Sequence, residues 1–164
     1  MKVKNFIITF ISAIALLILT STISFAKVVG DKIVLGAAVS LTGKYSSNGV
    51  HTQNGYNLAV ERINSMGGVK VDGKSYKFEI IYYDDESNSG RAAQLAERLI
   101  KQDGVQYMLG PYSSGLTKAM APVTEKYQIP MVEANGASRS LFTKGYKYLF
   151  AVLAPANLYL DVAI

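Results

Sequence analysis

Hydrophobic and polar positions along this chain fall into blocks that switch between the periods of strands and helices. Residues 32–40 (KIVLGAAVS) form an almost unbroken apolar run, the pattern of a strand buried on both faces. Residues 41–49 (LTGKYSSNG) are turn-rich and predict a loop. Over 50–66, Tyr56, Ala59, Val60 and Ile63 recur at three- and four-residue spacing, which predicts a helix stopped by Gly67-Gly68. Asp72-Gly73, between 69–71 and 75–77, is a hairpin signal, and 78–83 predicts a second strand ended by Asp84-Asp85-Glu86. Residues 89–102 place Ala92, Leu95, Ala96, Leu99 and Ile100 on one helical stripe. A third strand over 105–109, a loop over 110–115 and a third helix over 116–127 follow. The pattern then predicts a fourth strand over 130–134, a loop over 135–139, a fifth strand over 148–153 and a last helix opened near Pro155. Strands alternating with helices predict an α/β fold, a doubly wound parallel sheet with right-handed crossovers and helices on both faces.

The first 26 residues break this rhythm. Lys2 and Lys4 precede an apolar stretch over 6–19, and Ser24-Phe25-Ala26 puts small residues at the −3 and −1 positions of a cleavage site. That is the layout of an export signal peptide over 1–26. An uncleaved anchor is the other reading, since 6–25 approaches the ~20 residues that cross a bilayer. Thr20, Ser21, Thr22 and Ser24 make its second half polar and favour cleavage after Ala26. Removing 26 of 164 residues, two of them lysines, leaves 138 residues with 15 basic and 12 acidic side chains, net +3. These charges are dispersed, which argues against a nucleic-acid partner. The absence of cysteine excludes disulfide scaffolds, zinc fingers, iron–sulfur sites, thiol nucleophiles and a lipid-modified N-terminal cysteine. An exported chain of this kind fits a bacterial periplasm. Apolar residues run to Ile164 with no glycine or proline to end the last helix, the pattern expected of a truncated chain.

Ligands of open α/β sheets bind beyond the carboxyl ends of the strands, where loops enter helix N-termini. Three loops rich in small polar residues fit that position: 41–49, 110–115 and 135–139. In Gly110-Pro111-Tyr112-Ser113-Ser114-Gly115, proline and glycine set the turn and the serines precede a helix. Its free N–H groups and dipole favour an anion by about 0.3–1 kcal/mol. Either serine serves equally well as a plain N-cap. Asn135-Gly136 permits an unusual backbone turn and Ser138 is placed to cap the next one, which ordinary turn chemistry also explains. Tyr45 and Tyr112 are loop aromatics of the kind that line pockets.

Enzyme motifs fail. Residues 38–45 (AVSLTGKY) nearly match a phosphate-binding loop, but Ala38 replaces its first glycine and Tyr45 its magnesium-binding hydroxyl. No G-x-G-x-x-G follows the first strand and no G-x-S-x-G occurs. His51 is the single histidine, which excludes a histidine metal cluster. The acidic trio at 84–86 reads as a strand end that caps the next helix and faces water. No cofactor or metal is implied.

Five segments then fall in one order: VSLTGKY (39–45), GYNLAVERINSMGG (55–68), YYDDES (82–87), GPYSSG (110–115) and PMVEANGAS (130–138). With them the chain resembles the N-terminal lobe of the leucine/isoleucine/valine-binding type of periplasmic binding protein, the type I solute-binding component of ABC importers. The resemblance covers essentially all of 32–164. It implies two α/β lobes that close on ligand about a hinge, of which 27–164 is the first, with the second absent. It implies a binding protein rather than an enzyme, one that captures an amino acid of branched-chain type or a related small carboxylate for a permease in the inner membrane. A ligand-sensing receptor domain of the same fold is the alternative. By position, Ser114 resembles the serine that receives the ligand carboxylate, and Asn135 the residue whose carbonyl takes the ammonium. Ala137 falls where a threonine gives hydroxyl and N–H, and keeps only the N–H. Asn48 falls where a pocket tyrosine is expected, with Tyr45 three residues away. The expected ligand-binding set is Tyr45, Asn48, Tyr112, Ser113, Ser114, Asn135, Gly136 and Ala137.

Overall fold

The computed structural model describes residues 28–159, so the expected signal peptide and residues 160–164 lie outside the described residues. β1 (Val28–Val29) turns at Gly30 (φ 66) and folds back antiparallel onto β2 (Lys32–Val39), the apolar run. After α1 (Ser46–Ser65) comes the hairpin of β3 (Val69–Val71) and β4 (Lys74–Asp84). Its two turn residues, Asp72 and Gly73, take φ of 49 and 79, as a two-residue hairpin turn of this sequence demands. α2 (Ser89–Lys101), β5 (Met108–Leu109), α3 (Ser114–Tyr127), β6 (Met131–Glu133) and β7 (Leu149–Ala151) follow. Short 3-10 turns lie at Arg139–Leu141 and Ala156–Leu158, and Pro155 immediately precedes the second.

The strand order is β3-β4-β2-β5-β6-β7, and every pair from β4 to β7 is parallel. Adjacent tyrosines of β4 show the two layers. Tyr82 donates its Oη–H to Asn57 of α1 (2.8 Å), while Tyr83 lies under Arg98 of α2, 4.4 Å from guanidinium carbon to ring centroid. α1 thus covers one face, and α2 and α3 pack together on the other. The core fills that second layer, with Val34 and Ala38 of β2 meeting Leu95 and Leu99 of α2 and Leu116 and Met120 of α3. Because β4 lies on one side of β2 and β5 on the other, the loops leaving β2 and β5 go to opposite faces. The crevice between them is a topological switch point.

Several boundaries differ from the pattern, each for a local reason. α1 starts at Ser46 rather than at residue 50 and contains Gly49, because a Cβ there would overlap the Ser40 carbonyl. Gly49 gives room for a helix crossing a strand end. Ala59 of the expected α1 stripe is exposed, while Tyr56, Val60 and Ile63 are half-buried. Among the described residues α1 is the only helix on its face, and none packs over its far side. Beyond its reach Leu35, Tyr107, Leu109, Pro130 and Val132 line an apolar groove of 340 Å³. β5 begins only at Met108, since the buried Val105 gives its N–H to the Leu99 carbonyl (3.0 Å) instead of a strand partner.

The acidic trio is corrected most. Asn88, not an acid, caps α2, its Oδ1 accepting the Arg91 N–H at 2.9 Å. Asp85 is fully buried and accepts from Ser40 Oγ (2.6 Å) and the Ser87 N–H (2.8 Å). Asp84 accepts from the Leu41 N–H (2.9 Å) and from Thr42 Oγ1 (2.7 Å). The two carboxylates lace the loop after β2 to the loop after β4, which holds the start of α1 at the switch point.

Candidate functional site

At the switch point Tyr45, from the loop after β2, meets Tyr112, from the loop after β5. Their rings are edge-to-face, with centroids 5.6 Å apart and planes at 64°, a favourable aromatic geometry. Beside them opens a cleft of 390 Å³. Asn48, His51, Thr52, Gly55 and Tyr56 of α1 form one wall, and Tyr112, Ala134 and Asn135 the other. Tyr56 bridges the walls, donating its Oη–H to the Gly110 carbonyl at 2.7 Å. Burial, aided by the nearby Glu133 charge, pushes its phenol well above the ordinary value, so it remains a neutral donor.

The paired serines divide their roles. Ser113 is the cap of α3: its Oγ accepts the Leu116 N–H (3.4 Å), and its carbonyl accepts from the Thr117 N–H (3.1 Å) and Oγ1 (2.9 Å). It does so at φ 80, a conformation L side chains avoid. Ser114 is the first residue of α3, and its Oγ accepts the N–H of Ser138 at 3.0 Å. That bond ties the loop after β5 to the loop after β6. No hydrogen bond among the described residues engages the N–H groups of Ser114, Gly115 or Ala137.

The Asn135-Gly136 loop is not the unusual turn its sequence suggests, since neither residue has positive φ. Gly136 is there for space. A Cβ would come 2.6 Å from Glu133 Oε2 and 2.8 Å from Leu141 Cδ1. Nor does Ser138 cap the following turn with its side chain; its Oγ pairs with that of Ser140 at 2.8 Å.

Of the expected set, Asn48, Tyr112 and Asn135 line the cleft, with Tyr45 edge-to-face against Tyr112. Ser113, Ser114, Gly136 and Ala137 occupy the two flanking loops. Sequence reasoning missed His51, Thr52 and Tyr56, although their spacing from Asn48 puts them on one face of a helix. It also missed Glu133, the last residue of β6. Glu133 is fully buried; Oε2 accepts the N–H of Asn135 (3.1 Å) and that of Gly136, and Oε1 has no partner. Burial pushes its carboxyl up, against the opposing pull of those two N–H groups. A lone acid closing an apolar strand was the available signal. Among the described residues no group of three His, Cys, Asp or Glu side chains could hold a metal ion.

The profile of the family described as periplasmic binding protein matches residues 32–161. The chain belongs to the periplasmic binding protein family. It is 26% identical over 133 residues to the leucine-, isoleucine-, valine-, threonine-, and alanine-binding protein of Pseudomonas aeruginosa, covering 81% of this chain and 34% of the relative. Among solved structures it resembles the branched-chain amino acid transporter substrate binding protein LivJ of Streptococcus pneumoniae in complex with isoleucine. There the identity is 32%, the TM-score 0.68, and the match covers 75% of this chain and 34% of that one. It also resembles a solute binding protein of an ABC transporter from Rhodopseudomonas palustris in complex with 3,4-dihydroxybenzoic acid, at 27% identity and TM-score 0.62, over 74% of this chain and 31% of that one. This periplasmic binding protein chain therefore spans 31% to 34% of the length of these relatives. Its doubly wound α/β lobe is the type I fold of the family.

Proposed function

We propose that this chain is the first lobe of a two-lobe extracytoplasmic receptor that captures an amino acid of branched-chain type and passes it to an ABC permease in the inner membrane. The bond between Ser114 and Ser138 carries this reading. It holds the head of α3 against the 134–138 loop, so the Ser114 hydroxyl, its oxygen accepting from Ser138 and its proton still to be given, stands beside the cleft with the N–H groups of Ser114, Gly115 and Ala137, which have no hydrogen-bond partner among the described residues. Donors at a helix N-terminus suit a carboxylate, with the dipole adding about 0.3–1 kcal/mol. The bound or named ligands of the three relatives above all carry a carboxylate. Tyr45 and Tyr112 offer apolar surface for a ligand side chain, and the Asn135 carbonyl an acceptor for its ammonium. The signal-like segment at 1–26 supports delivery to the periplasm.

Calorimetric titration of the full-length protein with L-leucine, L-isoleucine, L-valine and 4-hydroxybenzoate tests the reading. The expected result is saturable binding of a branched-chain amino acid, recovered chemically unchanged. Binding of none of these carboxylates overturns it.

A further inference from the structure

Among the described residues Glu133 is a buried acid without a counter-ion. It is fully buried, its Oε1 has no hydrogen-bond partner, and no salt bridge among the described residues includes it. Glu133 Oε2, Leu141 and Thr117 of α3 all border Gly136, and the phenol of Tyr56 on α1 lies within reach of the Glu133 charge; none of these neighbours is a cation. An uncompensated buried carboxylate is strongly unfavourable. Glutamine would also accept from the Asn135 and Gly136 N–H groups, though more weakly, so their needs alone do not require a charge here.

The position of that charge relative to the cleft explains it. Oε2 holds the N–H of Asn135, a residue of the cleft wall, and also takes the Gly136 N–H. Two donors that a ligand anion would otherwise use are thus occupied by an internal carboxylate. The unclaimed donors lie on Ser114, Gly115 and Ala137, with the positive end of α3 behind the first two. With Glu133 ionised, the Asn135 end of the cleft is negative and the head of α3 positive.

We infer that Glu133 is a specificity-determining residue: its charge selects a zwitterionic ligand, ammonium at the Asn135 end, over a plain carboxylate of the same shape. This rests on the solute-capture reading above. Titration of the full-length protein at pH 7 with L-leucine and with 4-methylpentanoate, which lacks only the ammonium, reads the selection. The wild type is expected to prefer leucine by about tenfold or more, as opposed charges discriminate partners. Glu133→Gln, which keeps the shape and the acceptor oxygen, is expected to narrow that ratio several-fold. An unchanged ratio overturns the role of Glu133 and leaves solute capture standing, whereas a wild type that binds neither compound overturns both. A second measurement needs no variant. The Gly136 amide proton resonance, followed against pH, reports the Glu133 titration; saturating leucine must lower its midpoint if the two charges meet, because coupling is reciprocal. A midpoint that leucine does not move overturns the inference.

Discussion

Ser113 and Ser114 are chemically identical, and their places at the head of α3 make them respond differently to substitution. Ser113 combines a capping hydroxyl with φ 80. Ser113→Ala loses the cap and keeps the strained backbone, and is expected to cost about 1–2 kcal/mol. Ser113→Gly also loses the cap but relieves the strain, so it should stay within about 0.5 kcal/mol of wild type. Urea denaturation of the two variants distinguishes them; equal losses would show that the φ value is not a strain. Under the proposed function Ser114 matters for affinity instead. Ser114→Ala would remove the proposed donor to the ligand carboxylate, and it leaves the Ser138 N–H without its Ser114 acceptor. The expected loss is about 1.5–3 kcal/mol, roughly tenfold to hundredfold in affinity. Calorimetry on the full-length protein checks it, and undiminished affinity would leave Ser114 a structural tie between loops.

At the scale of elements, the loop after β2 depends on Asp84 and Asp85. Burial raises the Asp85 carboxyl, although Ser40 and Ser87 bond to its charged form. For Asp84 burial also opposes ionisation, but bonds from Thr42, Glu86 and Leu41 outweigh it and hold the carboxyl low. The signs are therefore opposite. With its folded value raised, Asp85 contributes stability that is complete below its unfolded value of about 3.9 and is lost as pH rises through the folded one. Asp84 contributes stability present above its unfolded value and lost as pH falls through the lowered one. Asp85→Asn should thus remove a decline of wild-type stability with rising pH, over a window that opens at about pH 4. Urea midpoints across that range are the measurement, and parallel pH curves for wild type and variant would refute the assignment. The acids were legible as a strand end, but not as a clasp. Their partners Ser40 and Thr42 lie a whole helix and hairpin earlier in the chain, and spacing carries no information about such pairs.

For the whole molecule, two expectations follow from the signal-like segment over 1–26 and from the proposal that 27–164 is one of two lobes. Cleavage after Ala26 should give a mature protein beginning at Lys27, read by N-terminal sequencing of a periplasmic fraction. Intact Met1 in a membrane pellet would contradict it. On the two-lobe proposal, residues 27–164 alone would leave one face of the ligand in water, and high affinity needs most of a ligand's surface buried. They should bind L-leucine no tighter than about millimolar, roughly −4 kcal/mol. Micromolar binding by this lobe in a calorimeter would show that it suffices.

The sequence by itself determined the order and kind of nearly every main element, the hairpin turn, and the three loops that gather at one edge of the sheet. These depend on local properties: a hydrophobic period, a turn dipeptide, a glycine stop. It also carried the family, through five short segments in order. Only the tertiary structure decided that Tyr45 meets Tyr112 edge-to-face, that Ser114 rather than Ser113 ties two loops, that Gly110 and Gly136 make room for Glu133, and that Glu133 is buried without a counter-ion among the described residues. The first two of these join residues on separate strand-to-helix loops. The sheet's parallel order brings those loops to one edge, and side-chain packing there sets which atoms meet.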